Sequence, residues 1–225
     1  MGQKTTYMQV HHLGQKHSIV HHFLSEIRDV NIQNDRMRFR RNIERIGEVL
    51  SLELSSSLNY SEKIITTPLG QKKTLQLTDQ IVVCSILRAG LNLHQGILNY
   101  LDQADSSFVS AYRKHSSELE FEIKVQYMAT QDFTDKILIL ADPMLATGRS
   151  LLAAYQALEA QGKPKEIHIL SVIGAQPGID FLEAHLPKET HLWIADIDPQ
   201  LNERGYIVPG LGDAGDLAYG EKLQK

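Results

Sequence analysis

The sequence predicts an α/β fold built on a mostly parallel sheet with helices on both faces. Apolar, β-rich runs recur at residues 81–88, 136–141, 166–173 and 191–197. Helical stretches at 150–161 and 178–185 separate the last three of them. The runs are continuous rather than alternating, as expected of strands covered on both sides. Strands that alternate with helices in this way close into parallel βαβ units. At 225 residues and 25.4 kDa the chain is long enough to bury a substantial core, and a single domain over 1–225 is the expectation.

Each element has its own signal. The N-terminal start MGQKTTYMQVHH has no signal-peptide core, and no apolar stretch approaches the roughly 20 residues needed to cross a bilayer. His11, His12, His17, His21 and His22 lack interleaved cysteine or acidic ligands, so they read as a solvated histidine-rich arm rather than a metal site. Over 34–58, Phe39, Ile43, Ile46, Leu50 and Leu54 recur at spacings of three and four, which predicts an amphipathic helix that Asn34 or Asp35 would cap. Arg36, Arg38, Arg40, Arg41 and Arg45 then form its solvated surface. A turn signal at 66–70 precedes the strand 81–88, where Cys84 reads as a small buried hydrophobe in a reducing compartment, the cytoplasm. Residues 108–112 form a further apolar run. Phe121, Ile123, Val125 and Tyr127 alternate with polar residues as in a half-exposed ribbon.

Charge excludes some functions. A formal charge of -4 and a pI near 6.2 supply no overall attraction to a phosphate backbone, so neither nucleic acid nor a membrane is an expected partner. In open parallel sheets ligands bind beyond the carboxyl ends of the strands, and the residues just after each run are the ones to question.

The most informative of these is ILILADPMLATGRSLLAAY at 137–155. Asp142 follows a buried strand directly, so its carboxylate projects into the crevice and could accept hydrogen bonds from a sugar diol. Ala146, Thr147, Gly148, Arg149 and Ser150 then open a helix whose unpaired N–H groups and dipole converge on one point suited to a phosphate monoester. On spacing alone, a plain helix cap at Thr147 or Ser150 explains the segment equally well. A P-loop is disfavoured, because the G-x-x-x-x-G-K-[ST] pattern and its lysine are absent. PGLGDAG at 209–215 fits G-x-G-x-x-G. It lies too close to the end of the sequence for the helix, strand and acidic residue of a dinucleotide fold, and reads as a tight turn or a backbone pocket for a flat ligand.

ADPMLATGRS resembles the phosphoribosyl pyrophosphate motif of the uracil phosphoribosyltransferase family, usually DPMLATGGS, and GYIVPGLGDAGD at 205–216 resembles that family's uracil-binding signature. SILRAGLNL at 85–93 is similar to its pyrophosphate loop, VSAYR at 109–113 to its flexible-loop arginine, and IRDVN with RFRRNIERIGEVLSLE to its N-terminal helices. The resemblance implies a phosphoribosyltransferase-like core, an N-terminal helical arm over about 1–58 and a C-terminal uracil-binding hood over about 199–225. It implies that uracil and phosphoribosyl pyrophosphate give UMP and diphosphate, with Mg2+ carried by the diphosphate. Asp142, Pro143, Met144, Leu145, Ala146, Thr147, Gly148, Arg149 and Ser150 would hold the ribose 5-phosphate end, and Arg88 and Arg113 the diphosphate. Ile207, Gly212 and Ala214 would read uracil through backbone groups. Asp213, among both the phosphoribosyl pyrophosphate-binding and the uracil-binding residues, would lie where N1 of the base meets C1 of the ribose, and Asp213 and Arg113 are the catalytic candidates. A homodimer or higher homo-oligomer is implied, with GTP a candidate effector. Two departures stand out: Arg149 replaces a glycine of the phosphate motif, and Leu217 replaces the arginine usual after GDAGD. They leave open a non-catalytic nucleotide- or RNA-sensing regulator on the same fold, or an enzyme for another base.

Overall fold

A computed structural model describes residues 7–115 and 121–223; for 111–115 and 121–124 it describes the backbone alone. The elements run β1 (Gln9–His12), α1 (Val20–Arg28), α2 (Arg36–Ser55), β2 (Tyr60–Thr67), β3 (Gly70–Leu77), β4 (Ile81–Leu87), α3 (Gly90–Leu98), β5 (Asp105–His115) and β6 (Phe121–Ala129). There follow β7 (Ile137–Ala141), β8 (Met144–Leu145), α4 (Arg149–Glu159), β9 (Glu166–Ala175), α5 (Gln176–His185), β10 (His191–Asp198), β11 (Gln200–Leu201), β12 (Ile207–Val208) and α6 (Ala214–Tyr219).

The main sheet has the order β1-β10-β9-β7-β4-β5-β6, with β8 added against β9. Every pair along it is parallel except β5 with β6. The predicted α/β class is therefore the observed one. Its centre is apolar for the expected reason: β7 is buried at every residue, and β4 at all but its last. Alternate residues of these strands feed two cores. Val83, Ile139 and Leu170 pack with α1, α2, α3 and α6 on one face, while Cys84, Leu140 and Ile169 pack with α4 and α5 on the other. Cys84 is fully buried, and burial pushes its thiol up to about 12, so it is an inert apolar side chain.

The long amphipathic helix is present as α2. Asp35 caps it, its side chain accepting from the Arg38 N–H, and Phe39, Ile43, Ile46, Leu50 and Leu54 form its buried face. Its arginines are mostly surface groups: Arg38 pairs with Glu26 and Arg41 with Glu44, while Arg40 donates to the Ala218 carbonyl.

The solvated histidine arm forms only in part. His11 and His12 lie in β1, which extends the sheet in parallel register along β10, and the His11 ring stacks 3.7 Å from that of Trp193. Pairing to an existing sheet edge, together with an aromatic platform 182 positions away, overrides a locally polar sequence. His17, His21 and His22 are exposed. The turn at 66–70 joins β2 and β3, an exposed hairpin separate from the main sheet.

Candidate active site

The carboxyl ends of β4 and β7 and the C-terminal segment meet at one edge of the sheet. Asp142 directly follows β7 and is 9% exposed. Burial pushes its carboxyl group up to about 7, against the smaller opposing effect of the Met144 N–H that donates to its Oδ1. The backbone beyond it is stitched to β9. The Asp142 carbonyl accepts from the Ser171 hydroxyl, the Pro143 carbonyl accepts from the N–H groups of Val172 and Ile173, and Met144 pairs in register with Ile173. This second attachment holds the loop rigidly before the helix begins.

The cap of α4 is Gly148, which makes no side-chain cap bond. Thr147, one residue before it, accepts from the Arg149 N–H through its Oγ1 at 3.4 Å, so its hydroxyl takes up one of the free N–H groups at the start of α4. Gly148 has φ 74°, and a Cβ there would meet the Gly178 carbonyl oxygen at 2.9 Å, so the glycine is required both by the turn and by the close approach of α5. Asp142, Met144, Leu145, Ala146, Thr147, Gly148, Ser150 and Leu151 line one small cavity of about 40 Å3. Pro143 serves through its carbonyl bonds to β9. Arg149 is exposed at the first position of α4.

Arg88 follows β4, across a cis peptide from Leu87. Its guanidinium donates to Asp216 Oδ1 at 2.9 Å and to the Gly220 carbonyl at 3.3 Å. A Cβ on Gly90, two residues on, would lie 2.9 Å from the Ala141 carbonyl oxygen, so this loop packs directly on the end of β7. Arg113 lies on β5, and its side chain is outside the described residues.

At the other end of the site, β12 pairs antiparallel with β11, which places Ile207 opposite Leu201. The chain then turns at Pro209 and Gly210 and reaches Gly212, Asp213 and Ala214. Asp213 caps α6, its Oδ1 accepting from the Asp216 N–H, while Lys222 Nζ lies 2.8 Å from its Oδ2. Burial raises the Asp213 pKa, but Lys222 and the N–H groups of Asp216 and Gly215 outweigh it and hold the carboxyl below the usual range. Leu217 is half-buried against the core; Lys222 pairs with Asp213 and lies near Asp216, which also pairs with Arg88. A polar cavity of about 920 Å3 separates Gly212, Asp213 and Asp216 from Asp35, Arg36 and Arg40 of the α2 N-terminus.

The sequence reading missed Lys222, Arg28 and Asp198. Arg28 Nη1 donates to Asp198 Oδ2 at 2.8 Å and to the Gly210 carbonyl at 2.9 Å, and its Nη2 reaches Asp196. A signal was available: Asp198 stands at the carboxyl end of a predicted strand, where ligand sites form.

A sheet of this order with a phosphate-sized turn after a buried strand and an acidic residue at its mouth defines a phosphoribosyltransferase-type architecture. It is shared with a hypoxanthine phosphoribosyltransferase from Staphylococcus aureus at TM-score 0.50, which is 13% identical over 72% of this chain and 76% of that one. A family model described as uracil phosphoribosyltransferase matches residues 14–221, and the chain belongs to that family. Uracil phosphoribosyltransferase from Porphyromonas gingivalis is 54% identical over 96% of this chain and 100% of its own length. The enzyme of that name from Methanothermobacter thermautotrophicus is 37% identical over 83% of this chain and 85% of its own. The solved AQ2163 protein from Aquifex aeolicus superposes with TM-score 0.84 at 29% identity, covering 96% of this chain and 100% of that one.

Proposed function

We propose that the protein transfers the 5-phosphoribosyl group of phosphoribosyl pyrophosphate to N1 of uracil, giving UMP and diphosphate. The observation that supports this best is the shared cavity of Asp142 and the 146–150 turn, which offers a carboxylate to a ribose diol and helix N–H groups to its 5-phosphate. The bond from C1 of the ribose to the diphosphate oxygen breaks with its electron pair leaving on the diphosphate, and N1 of uracil bonds to C1. Arg88 would exchange Asp216 and the Gly220 carbonyl for diphosphate oxygens, and Arg113 would join it from β5; a planar, permanently charged fork suits that anion. Thr147, Arg149 and Ser150 would add donors around the 5-phosphate, while Met144, Leu145 and Ala146 shape the turn.

Backbone groups of Ile207, Gly212 and Ala214 would match the two carbonyls and the N–H on the edge of uracil and mismatch cytosine. Asp213, held ionised, would accept the N1 proton. Among the described residues no group of three His, Cys, Asp or Glu side chains could hold a metal. A magnesium ion would be carried by the diphosphate, held by substrate oxygens and water. It would neutralise charge on the leaving diphosphate. Assembly as a homodimer or larger homo-oligomer, control by GTP and residence in the cytoplasm belong to the same proposal. No helix among the described residues is long and apolar enough to cross a membrane.

Purified protein with uracil, magnesium and phosphoribosyl pyrophosphate should release UMP and diphosphate in equal amounts. Turnover with a purine or with cytosine but not with uracil would reject the base assignment.

A further inference from the structure

The segment that carries the base-reading positions starts on the local β11–β12 pairing, but the turn after it is also held from another part of the chain. Gly210 lies between Ile207 and Gly212 with φ 60°, and a Cβ there would collide with the Ile207 carbonyl oxygen, so the chain folds tightly back on itself. Both backbone groups of this one residue are clamped from outside the turn. Its N–H donates to Asp198 Oδ2 at 3.2 Å, and its carbonyl accepts from Arg28 Nη1 at 2.9 Å. The same Nη1 donates to the same Asp198 Oδ2 at 2.8 Å, closing a ring of three hydrogen bonds through Gly210.

The ring is sheltered: the Arg28 side chain is 19% exposed and that of Asp198 7%. The second nitrogen of the guanidinium is anchored on Asp196 at 2.8 Å, which fixes the orientation of the fork. One residue further along, the Leu211 carbonyl accepts from Gln33 Nε2, and that amide also donates to the carbonyls of Ile27 and Arg28. The end of α1 and the segment after it therefore grip two consecutive residues of the turn.

We propose that Arg28 is a positioning residue for the nucleobase: through Asp198 and Gly210 it sets the spacing between the backbone groups of Ile207 and Gly212. This rests on the reading of that turn as the uracil site. Arg28 bonds to Gly210, Asp198 and Asp196, on the base side of the site, so its main effect is expected on the base. A guanidinium is needed because one nitrogen must serve Asp198 and Gly210 while another holds Asp196; an ammonium is a single point without a fixed fork.

The test is steady-state kinetics on the full chain with each substrate varied in turn. Hydrogen bonds to charged groups contribute about 1.5–3 kcal/mol, so Arg28→Gln should raise the uracil KM roughly 10-fold or more while leaving the phosphoribosyl pyrophosphate KM within about twofold. Arg28→Lys should give an intermediate value. If Arg28→Gln does not fold, Asp198→Asn breaks the ring from its other side and should give the same base-selective rise. An unchanged uracil KM, or a rise of both KM values in step, overturns the proposal. If the wild-type protein forms no UMP from uracil, it is the functional reading that fails; wild-type turnover with an insensitive uracil KM rejects the role of Arg28 alone.

Discussion

The two ends of the proposed site, one for phosphate and one for the base, are built in opposite ways. The phosphate end is local: Asp142 through Ser150 are contiguous, they grow from a fully buried strand, and β9 beside them supplies the remaining bonds. The base end is assembled from a distance. Its turn is clamped by Arg28, 170 positions from Asp198 and 182 from Gly210. A site that must bind the same phosphate-sugar end can be inherited as one rigid strand-turn-helix unit. A site that must choose a base is suspended on contacts from another part of the chain, where its spacing can be altered without touching the phosphate turn. The sharpest way to break this comparison is to damage one end and ask whether the other feels it.

The largest effect is expected from Asp142→Asn. Losing a charged acceptor for the ribose hydroxyls should lower kcat/KM for phosphoribosyl pyrophosphate by roughly 100-fold, at the upper end of a charge-assisted hydrogen bond. The melting temperature should stay level or rise, because the substitution removes a carboxylate that burial already disfavours. A variant with wild-type kinetics would take Asp142 out of the site.

Gly148→Ala comes next and is expected to act mainly on stability. A left-handed backbone for a non-glycine residue, together with a methyl against the Gly178 carbonyl, should cost about 1–3 kcal/mol, readable as a lower urea midpoint. The uracil KM of the folded fraction should change less than the stability, since the Gly148–Gly178 contact lies at the 142–150 end of the site.

A smaller effect concerns pH. In the folded protein Asp142 holds its proton up to about 7, whereas unfolded it ionises at the usual carboxylate value. Between those limits the folded state binds more protons, so this group's contribution to stability falls as pH rises and levels off above about 7. Ribose hydroxyls favour the ionised form, so the phosphoribosyl pyrophosphate KM should fall between pH 6 and 8. The part of that trend missing from Asp142→Asn is the part due to this carboxyl group. An identical pH profile in the two proteins would contradict it.

The smallest effect lies behind the site. His94 is buried between the Ser85 and Ser106 hydroxyls at 2.7 and 2.9 Å, and burial lowers it to about 4. Its unfolded form takes up a proton near the ordinary value, so its stabilising contribution is complete above pH 6.5 and is lost as pH falls toward 4. The urea midpoint of His94→Gln should change less than that of the wild type between pH 7 and 5.

What could be read from the sequence follows the same division. β4, β7, β9 and β10 were legible because burial on both faces leaves continuous apolar runs, and α2 because Phe39 to Leu54 keep a helical spacing. The proposed phosphate turn was legible because its residues are consecutive. β1 was not: QVHH has one aliphatic residue, Val10, which is itself exposed, and the strand exists because β10 offers an edge and Trp193 a ring for His11. The β2–β3 hairpin announced only its turn, since both its faces are exposed. Leu217 looked like a lost ion pair. In the structure Leu217 packs against the core, and Lys222 five positions on lies beside Asp213 and Asp216, a contact that spacing along the chain does not reveal.

The most direct test of a two-ended site is a crystal structure of the protein with UMP. The account predicts the 5-phosphate within hydrogen-bond reach of the N–H groups of 147–150, the ribose hydroxyls on Asp142, and the uracil edge against the backbone of Ile207 and Gly212 with Arg28 still bonded to Gly210. A nucleotide whose phosphate lies away from that turn, or whose base lies outside the 207–214 segment, would contradict it.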